Sequence, residues 1–534
     1  MLSGDNGILQ RAGDAREKTV ISQEEENAKL TFTEVQMELS QGNTVDSTAF
    51  QKMIDGNFGS GNATGTIGGD NYIITITRNG TNYKMSSSGK LETLDELPID
   101  FEPGVLEKSG NTYTINSIED LVAFSYNVNS GTELYTGKTV TLGRNLDFKG
   151  SKDSYVDENA KYKKDEFGYT PDDTSSTTIK SYMTDTNGEG FYPVGGKTYD
   201  IAFAGNFDGK NKSLSNLFIS SEFKYVAFIG QSKGDTIANL KILNCNLSSS
   251  SAGIMAGIVG YCNEVKKIDN CSTSGNISCS SQVGGIVGAT GSVVTITNCY
   301  NDAIVTGNYQ TGGIYGAGGV LNIINCYNNG KVLSNNNNAG GISGNAGEQI
   351  INCYNNGDIK GSDGSIVGGI LPLNGGTVKN CYNFKSVIGG TVVGGIISQG
   401  YAQTVLDNCY NIGTIKEIQG APIGGILGYG STTTNCHNTG TIIGKNSSYV
   451  GEITGGSTVD DTNDYLLKTD NEGNSINANA NGATGKTQAE MDEIMSVQNF
   501  VNLMNTYVAE NNADSSKTKL KTWKLENGMP VFTE

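Results

Sequence analysis

A mainly β chain wound as a single-stranded, right-handed parallel β-helix (a β-solenoid) of about 27-residue coils is the fold the sequence predicts, and three observations predict it. First, the dipeptide Asn-Cys recurs with cysteines at Cys245, Cys271, Cys299, Cys326, Cys353, Cys381, Cys409 and Cys436, at steps of 26, 28, 27, 27, 28, 28 and 27 residues. Second, a small-Gly-Ile motif runs in phase with it at Ile258, Ile286, Ile314, Ile342, Ile370, Ile396 and Ile426, with Gly451-Glu452-Ile453 as a degenerate eighth copy. Third, each copy holds only short apolar bursts, punctuated by Gly and Asn, with nothing at helical spacing. A unit of short strands cannot bury its apolar side alone, but copies stacked about 4.8 Å apart form one continuous core.

Within the unit each element has a stated role. Clear copies are Asn325-Cys326-Tyr327-Asn328-Asn329-Gly330-Lys331-Val332 and Asn352-Cys353-Tyr354-Asn355-Asn356-Gly357-Asp358-Ile359. The Ile/Val and Cys positions are expected to point inward as columns, with Asn-Asn-Gly and Asn-x-Gly at the corners, where positive φ is tolerated. The Asn before each Cys is expected to stack on its neighbours through side-chain amides. Inward cysteines fill a narrow core as free thiols, although stacked neighbours also come close enough for bridges. Cys262 and Cys279 lie outside the column and receive no pairing. Tyr300, Tyr327, Tyr354, Tyr382 and Tyr410 each follow a ladder Cys, so strand alternation sends them outward as an aromatic stripe. Such a stripe either stacks on itself or offers a binding surface for sugar faces or a partner, and these five are the candidate binding residues. His437 occupies the same slot and reads as a tyrosine substitute.

Composition removes several classes of function. With 37 Lys+Arg against 55 Asp+Glu the formal charge is −18, which argues against a nucleic-acid reader. Glycine, at 73 of 534 residues, is enriched and proline, at 7, is scarce, so the chain is neither collagen-like nor a proline-rich linker. A single histidine excludes any chemistry that needs a histidine pair, and no cofactor or metal is expected. Parallel β-helices include polysaccharide lyases and hydrolases, which need converging carboxylates. Here Asp302, Glu348, Asp358, Asp363, Asp407, Glu417 and Glu452 occupy different slots of the repeat, and Asp147 and Asp208 sit where a turn-stabilising role is expected. The expectation is no enzyme. The loops Asp185-Thr186-Asn187-Gly188-Glu189 and Asp470-Asn471-Glu472-Gly473 could hold calcium only weakly.

The repeats of the form Gly-Gly-Ile-Val-Gly … Asn-Cys-Tyr-Asn-x-Gly-x-Ile resemble the GLUG-motif repeats of bacterial cell-surface proteins over about residues 203 to 456. Upstream, Tyr113-Thr114-Ile115, Ile118-Glu119-Asp120-Leu121, Gly137-Lys138-Thr139-Val140, Asn145-Leu146-Asp147-Phe148 and Phe207-Asp208-Gly209 are similar to the entry coils of such repeats and extend the solenoid back to about residue 110. Some GLUG proteins are immunoglobulin A proteases with a zinc motif, which this sequence lacks, so the resemblance does not carry protease activity. Separately, Ser3-Gly4-Asp5-Asn6-Gly7-Ile8-Leu9-Gln10-Arg11-Ala12 and the Glu-rich run after it resemble the segment following the membrane helix of Gram-positive type IV pilin-like proteins. That membrane helix is absent from the sequence, no apolar run approaches 18 residues, and an upstream segment is expected to have been removed.

These readings divide the chain into four parts. Residues 1–98 form a small α+β pilin-like domain: an amphipathic helix from about 8 to 41, with Ala28, Phe32, Val35 and Leu39 on one face, then a hairpin of 72–76 and 81–85 about Asn79-Gly80. A merely solubilising helix is the plainer reading of the first element. Residues 99–235 are entry coils, 236–456 the repeats, and 457–534 an α/β cap in which 460–485 are loops. In the cap, Val497, Phe500, Val501, Met504, Tyr507 and Val508 mark a helix, followed by a hairpin about Asn527-Gly528 that holds the sole Trp and covers the last rung. The function expected is an extracellular, cell-surface or pilus-associated adhesin that binds host or microbial glycans or proteins, reaching a membrane only through the absent helix and meeting other pilin-like subunits through the N-terminal helix. The alternatives are a structural filament subunit and a polysaccharide-active enzyme.

Overall fold

A computed structural model describes residues 23–24, 26–68, 71–76, 82–85, 91–94, 106–148, 162–165, 168–171, 190–249, 253–319, 321–345, 349–430, 432–445, 450–451, 453–455, 465–467, 484–486, 499–526 and 529–533. The chain divides into two compact units, Met1–Glu102 and Pro103–Glu534.

In the first unit a helix spans residues 26–40 and buries Ala28, Phe32 and Val35. They meet Phe50 and Ile54 of a second helix, Ser47–Phe58, which the sequence did not announce. Its signal is Asp46, whose carboxylate accepts the Ala49 N–H at 2.8 Å as an N-cap. Leu39 departs from the expected face: the helix ends one residue later and the side chain is 41% exposed. The strands 72–76 and 82–85 pair antiparallel as expected, with Thr75 opposite Asn82, but inside a four-stranded meander that adds Ala63–Gly68 and Leu91–Leu94. The helix before residue 23 and the Asn79-Gly80 turn lie outside the described residues.

The second unit is a parallel β-solenoid. Around Cys326 one coil runs through Leu321–Ile324, Tyr327–Asn328, Val332–Ser334 and Ala339–Gly340. Each strand pairs in parallel with its equivalents one coil before and after: Ile323 with Ile296 and Ile350, Tyr327 with Tyr300 and Tyr354, Val332 with Val305 and Ile359. Ile258, Ile286, Ile314, Ile342, Ile370, Ile396, Ile426 and Ile453 are fully buried in one core that runs from Leu106 to Ile453.

Two motifs share one period because they touch. A Cβ on Gly313 would overlap the Asn328 side-chain amide and the Gly341 carbonyl, and Gly285 and Gly341 stand in the same relation to Asn301 and Asn355. Only glycine before the column Ile lets the coil close around the Asn that follows each Tyr.

Four expectations are corrected. The left-handed corner falls on the Asn before each Cys, with φ between 51° and 57° from Asn244 to Asn435, and not on Asn-Asn-Gly. Asn tolerates this region because its short polar side chain bonds locally. The segment read as an entry coil at 118–121 starts a helix, Ile118–Asn129, closed by a capping box between Ser117 and Asp120. Its Leu121, Phe124 and Val128 cover the first coils against Phe203 and Phe207, with Phe124 and Phe203 rings 5.2 Å apart. The coil pairing also outlasts residue 456: Tyr465–Leu467 pairs with His437–Asn438, and Thr484–Lys486 with Tyr465–Leu467. Finally, the C-terminal helix, Asn499–Ala513, and the hairpin of Trp523–Glu526 with Met529–Phe532 exist, but they lie along the side of the solenoid over middle coils.

Candidate functional site

The tyrosines stand outside the coil core in a register-perfect stack. Tyr300–Tyr327, Tyr327–Tyr354 and Tyr354–Tyr382 rings are 5.0, 4.8 and 4.7 Å apart and within 4° of parallel. Outward from the coil is not, however, outward to water. Tyr300, Tyr327 and Tyr354 are half-buried, Tyr382 is 3% exposed and Tyr410 fully buried. A five-residue open stripe is therefore corrected to a partly roofed one. Burial, followed by the Asp302 charge, pushes the Tyr354 phenol up to about 12.

The roof is the C-terminal helix and hairpin. Val501, Met504, Val508, Trp523 and Phe532 form one buried cluster with Ile351, Tyr382 and Tyr410. Phe532 sits 4.8 Å and Trp523 5.4 Å from the Tyr382 ring. The corner amides fix the register of this clasp. Asn352 donates to the Lys519 carbonyl at 2.9 Å and accepts the Lys521 N–H at 2.9 Å; Asn380 donates to the Lys521 carbonyl at 2.9 Å and accepts Trp523 Nε1–H at 2.6 Å. Asp407 accepts the Tyr507 hydroxyl at 2.7 Å and pairs with Lys379 at 3.1 Å.

Two amide ladders flank the stack. The corner ladder donates toward lower-numbered coils, as in Asn352 to Asn325 at 3.0 Å and Asn380 to Asn352 at 2.8 Å. The second, made by the buried Asn after each Tyr, donates toward higher-numbered coils at 2.8 Å from Asn301 through Asn328, Asn355, Asn383 and Asn411 to Asn438. Backbone partners pin each orientation, since Asn328 also donates to the Gly330 carbonyl and Asn355 to Gly357. The corner ladder ends at Asp269, which accepts from Asn298 at 2.9 Å; in the coils before it Asn270 donates to Asn239 and Asn239 to Asp208 at 2.8 and 2.9 Å, while a separate short row runs from Asn244 through Asn216 to Asp147 at 2.6 Å each. Burial opposes ionisation of Asp208, but the Asn239 amide, the Lys210 backbone N–H and the Lys210 ammonium together hold its carboxyl below the usual range.

All ten cysteines are free and buried, but the ladder is corrected to the seven from Cys271 to Cys436: Cys245 stands opposite Gly275, and with Lys241 paired to Ser272 it is Leu240 that fills the rung before Cys271. Cys299 and Cys326 each accept the preceding rung's cysteine N–H at 3.4 Å, and Cys353 donates to the Ile351 carbonyl at 3.3 Å. Burial pushes the thiols of Cys271, Cys299, Cys326, Cys381 and Cys409 up, and that of Cys245 to about 12. Cys262 and Cys279 are likewise free, the latter donating to Gly253 O at 3.2 Å and pushed up to about 11 by burial. His437 continues the tyrosine slot between Tyr410 and Tyr465 and is fully buried, which pushes its imidazole down to about 3. The acids do not converge: Asp302 accepts from Asn329, Asp358 from Ser386, and Glu417 turns inward to the N–H groups of Gln419 and Gly420. Among the described residues no group of three His, Cys, Asp or Glu could hold a metal. Glu348, Glu452 and both candidate calcium loops lie outside them.

One surface feature was missed from sequence. A groove of about 810 Å³ opens where Ile388 lies between Lys360 and Lys416. Its cause is a length change: from the ladder Cys to the column Ile takes 17 residues at Cys353 and Cys409 but 15 at Cys381, so a short loop sits between longer ones. Gly390 fits there because its backbone lies against that of Asp363. The signal in the sequence is the irregular pair of steps, 26 then 30, between Ile370, Ile396 and Ile426.

No family model matches the chain, and no curated protein does. A solved structure described as a "putative immunoglobulin A1 protease" from Bacteroides ovatus is 18% identical, covers 79% of this chain and 92% of its own, and has a TM-score of 0.33.

Proposed function

We propose that the protein is a displayed binding protein, an extracellular adhesin of a cell surface or pilus, and that it works without catalysing a reaction. The observation that carries this reading is the open groove over Ile388, where lysines, amides and an apolar floor meet on a rigid repeat. Stacked coils with a shared core hold surface residues in fixed columns, and backbone pairing sets their spacing, which suits a surface that binds repetitive ligands. Asp302, Asp358 and Asp407, by contrast, are engaged in local hydrogen bonds at different positions of the coil. The test is adherence of the purified full chain to mucin, glycan arrays and whole cells, with reducing ends assayed in parallel. Saturable binding without new reducing ends is expected; release of reducing ends, or no adherence to any of these surfaces, sinks the reading.

A filament role is the second reading, favoured by the first unit, where a helix packs its apolar face on an antiparallel meander. Incorporation of an anchor-bearing full-length form into a pilus would support it.

A further inference from the structure

We propose that the notch over Ile388 binds a carboxylate-bearing oligosaccharide, one containing uronate or sialate units, held between Lys360 and Lys416. This rests on the binding reading above and names its ligand class. Lys360, Ile388 and Lys416 share one register position on three consecutive coils. The two lysine positions are therefore two coil spacings apart, roughly 10 Å, a distance set by backbone pairing. Both lysines are exposed, and among the described residues neither has a hydrogen-bond or ion-pair partner. In a chain of charge −18, two lysines without an ion-pair partner, set against Asp363 as the one carboxylate of the groove lining, leave a local positive site that draws an anion.

The rest of the lining narrows the class. Ile388 and Ile418 offer a small apolar floor for the C–H face of a sugar ring, while Asn335, Asn336 and Ser362 offer donors and acceptors for its hydroxyls. Asp363, exposed at the rim, accepts from hydroxyls and repels a densely charged polyanion. Nucleic acid fits poorly, since its recognition calls for more positive charge and for aromatic stacking surfaces. The shape is also specific to this coil, because its short loop lies between two longer ones.

The experiment is calorimetric titration of the full chain with an oligogalacturonate, a sialyl-lactose, the carboxyl-reduced oligogalacturonate and lactose. Binding of at least one carboxylated sugar is expected, at least about tenfold tighter than its neutral counterpart. The double variant Lys360→Gln/Lys416→Gln should lose at least about tenfold in affinity at an unchanged melting temperature, whereas Lys331→Gln/Lys385→Gln, outside the groove, should not. Equal binding of neutral and carboxylated sugars, or unchanged affinity in the first double variant, overturns the proposal. If no carboxylated sugar binds but the chain still adheres to a glycan or cell surface, the notch proposal falls and the adhesin reading stands. If adherence is absent as well, both fall.

Discussion

The tyrosine column occurs in two surroundings on one molecule. At Tyr300 and Tyr327 the rings stack on each other and remain half-exposed; at Tyr382 the same slot is sealed under Trp523 and Phe532, and Tyr410 is buried in the same cluster. The backbone pairing and the buried amide ladder run alike through both halves. A repeat thus decides which residues leave the core, but a single non-repeating segment decides which of them meet water. The open half is a surface, whereas the roofed half is a second core laid against the first.

The contrast breaks most directly at the roof. Trp523→Ala removes the contacts to Tyr382 and Phe532 and the bond to Asn380, and should cost about 3–5 kcal/mol of clasp stability. Amide exchange should rise in the coils of Cys381 and Cys409 but not in those of Cys271 and Cys299; uniform exchange would mean the clasp does not hold the two halves apart. A matched pair sharpens this. Asn298→Ala and Asn380→Ala both lose a left-handed corner amide, but only Asn380 also serves Lys521 and Trp523. Chemical denaturation should find Asn380→Ala about 1–3 kcal/mol costlier, and equal costs would deny the corner amides a docking role.

His437 gives a pH readout of the sealed half. Its folded value, pushed down to about 3 by burial, lies below the unfolded 6.5, so the unfolded chain binds the extra proton between the two. Its contribution is fully present above about pH 6.5 and is lost as pH falls toward 3, at up to about 1.4 kcal/mol per pH unit. His437→Tyr should remove that part of the slope in melts run across pH 4–7. The smallest effect belongs to the open end: Tyr300→Ala loses one stacking partner, about 0.5–1.5 kcal/mol, and should leave exchange in the clasped coils unchanged.

The inner columns were legible because burial recurs with the coil. Ile314 and Cys326 repeat at a period that only a stack of coils explains, and their full burial follows. The corner was half legible: Asn325 was singled out for its amide, while its left-handed backbone was assigned to the Asn-Asn-Gly turn. The entry helix was hidden by a resemblance, since Ser117 and Asp120 form a capping box that was read as part of a coil. The placement of Trp523 could not be read, because lateral docking occurs once and leaves no periodicity. The notch was present only as an irregular spacing, which looks like noise until strands assign both flanks to neighbouring coils.

The opposed sense of the two amide rows has a consequence for growth. A single row of aligned amides would add its dipoles with every coil and accumulate partial charge at the tips, as aligned peptide dipoles do in a helix. Here one row donates forward and the other backward, so the sums offset at any number of coils. Duplication or loss of whole units therefore carries no electrostatic penalty at the ends, and reach can be tuned in steps of one layer.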